Sequence, residues 1–85
     1  MPSLPTVRLY ARPECHLCDE ARSGLDALRA DGVLFVLEEI DIESDEQLLR
    51  RHLERIPVIE VEGEEVSELG LDADAVRAKL ATVAR

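Results

Sequence analysis

The sequence predicts an α/β fold in which a four-stranded mixed sheet is flanked by three helices. Three observations support this prediction. Apolar residues near the start of the chain alternate with a period of two, as in a β-strand. The next apolar residues recur every three or four positions, as on one face of an α-helix. Later, two short apolar segments flank Glu62-Gly63, a dipeptide typical of the two-residue turn of a β-hairpin.

The first half of the chain predicts a βαβ unit. Thr6–Tyr10 alternates and predicts strand β1. Helix α1 follows, because one helical face would carry Cys18, Ala21, Leu25 and Leu28. Asp31-Gly32 ends that helix. Val33–Ile42 begins as a continuous apolar run and predicts a largely buried strand, β2, parallel to β1 after a right-handed crossover.

A short second helix is predicted after this unit. Ser44 and Gln47 have the spacing of a capping box, in which each side chain hydrogen-bonds the backbone of the other. Apolar residues follow at Leu48, Leu49 and Leu53. We therefore expect helix α2 to span residues 45–53.

A hairpin and a third helix complete the predicted fold. Ile56–Val61 predicts strand β3, which begins with a proline and turns through Glu62-Gly63 into β4 at Glu64–Val66. Asp72 is the expected N-cap of helix α3, and the apolar stripe of that helix is Val76, Leu80 and Val83. We expect strand order 2-1-3-4, with α1 and α3 on one face of the sheet and α2 on the other.

The composition excludes several classes of function. At 85 residues the chain has room for one domain, residues 1–85, because single cores serve roughly 50–200 residues. It carries 19 acidic and 10 basic residues, a net charge of −9, which argues against nucleic acids and anionic lipid surfaces as partners. No apolar run approaches the ~20 residues of a membrane span, and the first residues lack the pattern of a secretory signal. We therefore expect a cytoplasmic protein without membrane contact. We also expect it to be a monomer.

The Cys15-His16-Leu17-Cys18 motif lies where β1 gives way to α1. Unpaired amides and the helix dipole at the start of a helix favour a thiolate on Cys15. Cys18, one turn further along, is expected to be more buried and close enough to attack a mixed disulfide formed on Cys15. We predict that Cys15 is the nucleophile and Cys18 the resolving thiol.

Charged neighbours act on the first cysteine of the motif in both directions. Arg12 and a protonated His16 favour its thiolate. Three nearby carboxylates oppose it, those of Glu14, Asp19 and Glu20. We therefore predict moderate activation. His16 either tunes the cysteine pair electrostatically or is a solvent-exposed imidazole with a small effect.

The Ile56-Pro57 peptide adds to the redox interpretation. Prolines are tolerated at the first position of a strand, but here we predict a cis bond, which is uncommon before proline in folded proteins. A cis bond would turn the backbone groups of Ile56 outward beside Cys15. A bound thiol substrate could then pair its own backbone with Ile56.

A metal site is a competing interpretation of the cysteine pair. Tetrahedral zinc requires four ligands, whereas the chain has two Cys and two His, so one chain closes such a site poorly and we assign no metal ligand. His52 lies on the predicted α2 without an assigned role. The alternative left open is a binding or scaffold domain, including a dimer that shares a metal or an iron–sulfur cluster through Cys15 and Cys18.

The motif, the element order and Ile56-Pro57 together resemble the thioredoxin superfamily, and in particular its glutaredoxin branch. The segment Leu9–Ala21 is similar to small bacterial glutaredoxin-like proteins. The resemblance covers nearly the whole chain. It implies a thioredoxin-like fold and thiol–disulfide oxidoreductase activity, in which Cys15 and Cys18 cycle between dithiol and disulfide.

The resemblance also implies a binding residue, partners and a reductant. Arg12 stands three positions before Cys15, where a basic residue of the family contacts a glutathione carboxylate. His16-Leu17 replaces the Pro-Tyr or Pro-Phe that glutaredoxins have between the cysteines. The implied partners are a disulfide-containing protein or a small thiol. No bound cofactor is implied, and either glutathione or a thioredoxin-reductase-type reductant supplies the electrons.

Overall fold

Four strands form one mixed sheet in the computed structural model, which describes residues 4–83. The strands are β1 (Thr6–Ala11), β2 (Val36–Asp41), β3 (Val58–Val61) and β4 (Glu64–Ser67). Their order across the sheet is β2-β1-β3-β4, as predicted. β1 is parallel to β2, and β3 is antiparallel to both β1 and β4.

The flanking helices are α1 (His16–Ala30), α2 (Glu46–His52) and α3 (Ala73–Val83). Helices α1 and α3 pack on one face of the sheet and α2 on the other, as expected. Within the described residues, no helix is apolar over the length that crossing a bilayer requires.

The alternation of side chains along β1 determines what each face receives. Val7 and Leu9 are fully buried beneath α1 and α3, whereas Tyr10 lies on the α2 face, because successive strand residues project to opposite faces. Leu25 of α1 and Val76 of α3 are also fully buried in the first core. This aliphatic packing holds α1 in place against the sheet.

Helix α1 begins and ends where the sequence predicts. Cys15 is its N-cap and Asp31 its C-cap. Gly32 follows with a φ of 90°, a left-handed conformation that glycine adopts at little cost. Its amide donates a hydrogen bond to the carbonyl oxygen of Arg29, which closes the last turn.

The prediction that β2 is a largely buried strand is wrong. The strand begins only at Val36 and forms one edge of the sheet, where, among residues 4–83, it pairs with β1 alone. Leu34 and Val36 are 68% and 43% exposed, while Phe35 is buried. Part of the apolar run therefore belongs to the loop before β2. The run does not reveal whether its strand has one neighbour or two.

The predicted cap of α2 is also wrong by one residue. Asp45 is the N-cap, and its Oδ1 accepts a hydrogen bond from the Gln47 amide at 2.7 Å. Ser44 lies in a preceding 3₁₀ turn, and its hydroxyl donates to the carbonyl oxygen of Asp41 at 2.6 Å. Asp45 is extended, with φ −149° and ψ 124°, so the helix starts after it.

The hairpin turn and the last helix agree with the prediction, but β3 begins at Val58, two residues after the predicted start. Glu62 and Gly63 have φ values of 50° and 83°, as in the turn that matches the twist of a hairpin. Asp72 accepts a hydrogen bond from the Ala75 amide at 3.0 Å. The predicted stripe of α3 packs on the first core: Val76, Leu80 and Val83.

Candidate active site

The two cysteines form a disulfide at the N-terminus of α1, with their Cα atoms 5.2 Å apart. The chain reaches this point through a turn in which Glu14 has a φ of 58°, a conformation uncommon for residues other than glycine. This turn directs the chain from the end of β1 into α1. The disulfide therefore lies at the carboxyl end of the central strand.

The backbone at the start of α1 faces the Cys15 sulfur. Cys15 is the N-cap, and its Sγ accepts a hydrogen bond from the Cys18 amide at 3.1 Å. The Asp19 amide donates to the Cys15 carbonyl oxygen at 3.0 Å. The predicted placement of Cys15 is therefore confirmed, and the partial positive charge of the helix N-terminus is directed at its sulfur.

The two sulfurs differ in their access to solvent. Cys18 is fully buried within the core formed by α1, α3 and the sheet, whereas Cys15 is partly exposed at the edge of that core. Solvent can therefore reach the side chain of Cys15 but not that of Cys18. This asymmetry agrees with the expectation that Cys18 is the more buried of the pair.

The Ile56-Pro57 peptide bond is cis, as predicted. Pro57 is buried, and Ile56 is partly buried against the same core as Cys15. The Ile56 amide donates to the His52 carbonyl oxygen at 3.1 Å. The expectation that both backbone groups of Ile56 face outward is therefore wrong for the amide. No hydrogen bond from residues 4–83 reaches the Ile56 carbonyl oxygen.

Arg12 forms an ion pair with Glu43, with nitrogen and oxygen 2.7 Å apart. It lines a cavity of about 270 Å³ at the ends of β1 and β2, together with Arg22, Glu39 and Asp41. Neither cysteine lines this cavity. The role of Arg12 in substrate binding stays a prediction.

His16 projects into solvent from the first turn of α1. Its side chain is 87% exposed, and its Nε2 lies 3.7 Å from Oε1 of Glu20. A charge in this position is well solvated, so its effect on the cysteines is screened. Tuning of the cysteine pair by His16 stays a prediction.

His52 occupies a position that the sequence analysis left without a role. It is 1% exposed and stacks on Tyr10, with the ring centroids 4.5 Å apart. Neither ring nitrogen has a hydrogen-bond partner within the described part of the chain. Its spacing from Leu48 and Leu49 on α2 is the signal that could have predicted its burial.

The charges around this imidazole oppose its protonation. Burial is the main cause that lowers the pKa of His52, and the positive charges of Arg55 and Arg51 lower it further, against a weaker effect of Glu60. Glu60 accepts a hydrogen bond from the Tyr10 hydroxyl at 3.1 Å. Burial, followed by this hydrogen bond, raises the pKa of Tyr10.

His52 also supports the segment before Pro57 through its backbone. Its carbonyl oxygen accepts hydrogen bonds from the amides of Arg55 at 2.8 Å and Ile56 at 3.1 Å. The end of α2 thus fixes the chain that leads into the cis peptide.

A groove runs between α1 and the loop before α3. It has a volume of about 330 Å³, and its lining residues are Leu17, Glu20, Ala21, Gly70 and Leu71. A Cβ atom on Gly24 would overlap the Leu71 side chain, so this glycine lets Leu71 rest directly on α1. The groove depends on contacts between distant parts of the chain, so no local pattern in the sequence predicts it.

Within residues 4–83, no group of three or more His, Cys, Asp and Glu side chains is arranged to hold a metal ion.

Comparison with known proteins places these features in a family. A family model described as a glutaredoxin-like domain (DUF836) matches residues 6–81. The NMR structure of protein Ne2328 from Nitrosomonas europaea is 32% identical, with 93% of this chain and 94% of that chain covered and a TM-score of 0.80. Among curated proteins, none matches the chain.

Two further solved structures resemble the chain. The X-ray structure of a structural genomics target protein from X. campestris is 32% identical, with 91% of this chain and 97% of that chain covered and a TM-score of 0.72. A mutant thioredoxin from Halobacterium salinarum is 19% identical, with 95% of this chain and 75% of that chain covered and a TM-score of 0.67. The likeness to that thioredoxin concerns the fold alone, and it confirms the predicted thioredoxin-like architecture.

Proposed function

The chain belongs to the glutaredoxin-like domain family, and on that premise we propose that it is a thiol–disulfide oxidoreductase in which Cys15 is the nucleophile and Cys18 the resolving thiol. One observation carries the proposal. The disulfide lies at the N-terminus of α1, with the Cys18 amide donating to the Cys15 sulfur and the Cys18 side chain fully buried. The helix terminus favours the Cys15 thiolate. Because Cys18 is buried, only the Cys15 sulfur is accessible, either to attack a substrate or to be attacked by a reductant.

The proposed exchange proceeds in two steps. In the reduced protein, the Cys15 thiolate attacks one sulfur of a substrate disulfide, and the other substrate sulfur leaves as a thiolate. The Cys18 thiolate then attacks the Cys15 sulfur, which forms the Cys15–Cys18 disulfide and releases the second substrate sulfur as a thiolate. Two electrons pass from the protein to the substrate, and the released thiolates take up two protons. An external thiol reductant reverses both steps on the protein and is itself oxidised.

The reaction requires no bound organic cofactor, because the two sulfurs are the redox centre. The reductant we propose is glutathione or a thioredoxin-reductase-type protein of the cytoplasm, and the substrate is a disulfide-containing protein or a small thiol. The Ile56 carbonyl oxygen is the backbone group available to accept a hydrogen bond from the substrate. Substrate contacts are proposed for Ile56, Pro57 and Arg12.

Substitution of each cysteine tests this function. Reduction should raise the mass of the wild-type chain by about 2 Da as one disulfide becomes two thiols. Cys15→Ser should abolish oxidation by a substrate disulfide, whereas Cys18→Ser should accumulate a mixed disulfide that mass spectrometry detects. Ser23→Ala, an exposed substitution on α1, is the matched control and should leave the rate unchanged.

Two results would contradict the proposal. Equal rates of disulfide reduction in Cys15→Ser and wild type would exclude Cys15 as the nucleophile. Visible absorbance from an iron–sulfur cluster, or one zinc ion per two chains lost in both cysteine variants, would favour the metal-sharing dimer.

A further inference from the structure

The charged groups beside the disulfide distinguish between classes of substrate for the proposed function. Three arginines stand next to the segments that form the site, and each is already paired with carboxylates. The ion pairs are Arg12–Glu43, Arg22–Asp19, Arg22–Glu39, Arg55–Glu65 and Arg55–Glu68. Five carboxylates thus neutralise three guanidinium groups. An anionic substrate would have to displace an internal carboxylate to reach any of these arginines.

Other carboxylates near the disulfide are less well compensated. Glu14 directly precedes Cys15, is exposed, and makes no ion pair within residues 4–83. Glu20 lines the groove between α1 and the loop before α3, and its basic neighbour is the His16 imidazole at 3.7 Å. The potential at the mouth of the site is therefore negative, which attracts cations and repels anions.

Apart from Glu20, the residues that line the groove are apolar or glycine. Leu17 lies between the two cysteines in sequence and is 46% exposed, and Leu71 lines the groove from the opposite loop. In that loop, the Leu69 amide donates to the Arg55 carbonyl oxygen at 2.8 Å. This bond ties the loop to the residue before Ile56.

The loop that carries Leu69 is held in place. The Ser67 hydroxyl donates to the Gly70 carbonyl oxygen at 2.9 Å, and Leu71 packs against Gly24 of α1. The groove is therefore built into the structure before a substrate arrives, and its volume of about 330 Å³ admits an apolar side chain.

We propose that the substrate of this site is a disulfide in a basic polypeptide segment that carries an apolar residue next to its cysteine, in preference to glutathione disulfide. The proposal rests on the proposed function, and the exchange is the same: the Cys15 thiolate attacks the peptide disulfide, Cys18 displaces the bound cysteine, and two electrons pass to the peptide. The apolar residue enters the groove between Leu17 and Leu71. Basic residues of the peptide face Glu14 and Glu20. Glutathione disulfide carries a net negative charge and brings no apolar side chain.

The test measures the second-order rate constant for oxidation of the pre-reduced protein by four probes. These are a peptide disulfide with a leucine beside the cysteine and flanking lysines, the same peptide with glutamates in place of the lysines, glutathione disulfide, and the uncharged bis(2-hydroxyethyl) disulfide. Each rate is divided by the rate at which dithiothreitol reduces the same probe, which removes differences in intrinsic reactivity. The lysine peptide should react about tenfold faster than the glutamate peptide and glutathione disulfide. This preference should shrink as the ionic strength rises from about 0.02 M to about 0.5 M.

Two sets of variants separate the charge from the groove. Glu20→Gln should lower the preference for the lysine peptide about twofold to threefold, whereas Asp26→Asn, further along α1, should not. Leu17→Ser and Leu71→Ser, both at positions that line the groove, should each lower the rate of the leucine peptide relative to bis(2-hydroxyethyl) disulfide by about threefold to tenfold. Leu34→Ser, an exposed position before β2, is the control for lost apolar surface.

The outcomes distinguish an error in the proposed substrate class from an error in the proposed function. Normalised rates that are equal for all probes, or highest for glutathione disulfide, would overturn the substrate class and leave the proposed function intact. Failure of every disulfide to oxidise the reduced protein would overturn the proposed function itself.

Discussion

The two faces of the sheet support the site in different ways. The face under α1 and α3 is largely aliphatic, with Cys18 buried within it and Cys15 at its edge. The face under α2 has a smaller core around Tyr10, Ile42 and Val58, with a buried His52 whose ring nitrogens lack partners in the described chain. The first face holds the cysteine-bearing helix, and the second holds the segment that leads into Pro57. Because an unpaired buried polar group costs free energy, the α2 face should contribute less to the free energy of unfolding than the face under α1 and α3.

Truncation of one leucine on each face tests this difference most strongly. Leu25→Ala removes a fully buried side chain from the α1 face and should lower the free energy of unfolding by about 3 kcal/mol. Leu48→Ala removes a partly buried side chain from the α2 face and should cost about 1 kcal/mol. Urea denaturation of both variants measures the two losses. Equal losses would show that the faces contribute alike.

A fall in pH should destabilise the packing on the α2 face, because the buried His52 resists protonation there. The folded state lowers the pKa of His52, so the unfolded chain binds a proton first as the pH falls below about 6.5. The contribution of His52 is therefore complete above that pH and is lost progressively as the pH falls through the lowered pKa of the folded state. His52→Phe keeps an aromatic ring against Tyr10 and should remove this part of the pH dependence.

The control for this prediction is His16→Phe, because His16 is 87% exposed. Chemical denaturation at a series of pH values should give the same acid-dependent loss for His16→Phe as for wild type. If the free energy of unfolding of His52→Phe fell with pH as steeply as that of the wild type, the acid-dependent loss could not be assigned to His52.

The start of α2 gives a smaller effect on the same face. Asp45→Ala removes the acceptor of the Gln47 amide and should cost about 1 kcal/mol. Ser44→Ala removes only a bond to the Asp41 carbonyl oxygen and should cost less than about 0.5 kcal/mol. Thermal unfolding compares the stability of the two variants. A larger loss of stability for Ser44→Ala would support the capping box that the sequence predicted.

The smallest expected change lies between α1 and the groove. Gly24→Ala gains helix propensity of about 1 kcal/mol, but its Cβ would displace the tip of Leu71, so the two effects should nearly cancel in the free energy of unfolding. The displaced Leu71 should nevertheless narrow the groove and slow reaction with the leucine peptide. If Gly24→Ala were stabilised by the full amount of about 1 kcal/mol and reacted with the leucine peptide at an unchanged rate, the Leu71 side chain would move aside without a cost in free energy.

Local signals in the sequence were sufficient for much of this structure. Asp72 as a cap, Gly32 as a stop and Glu62-Gly63 as a turn act over a few residues, so the elements that they bound could be predicted. The same holds for Cys15, because a sulfur at the start of a helix meets the amide of Cys18 by helix geometry alone.

Features that depend on distant contacts could not be predicted. The apolar run before Ile40 gave no sign that β2 forms an edge, since that depends on where the hairpin pairs. Two adjacent capping residues, Ser44 and Asp45, compete for one helix start, and the 3₁₀ turn decides between them. The groove requires Leu71 to reach Gly24, a contact that no local pattern contains.

The position of Tyr10 determines which part of the molecule its fluorescence reports on during unfolding. It is the only tyrosine of a chain without tryptophan, and it lies against His52 on the α2 side. Tyrosine fluorescence of this protein therefore originates from the α2 side, whereas alkylation of the reduced Cys18 monitors the opposite core. Melting curves recorded by the two signals should coincide if the molecule unfolds as one cooperative unit, and separate if the α2 layer loosens first.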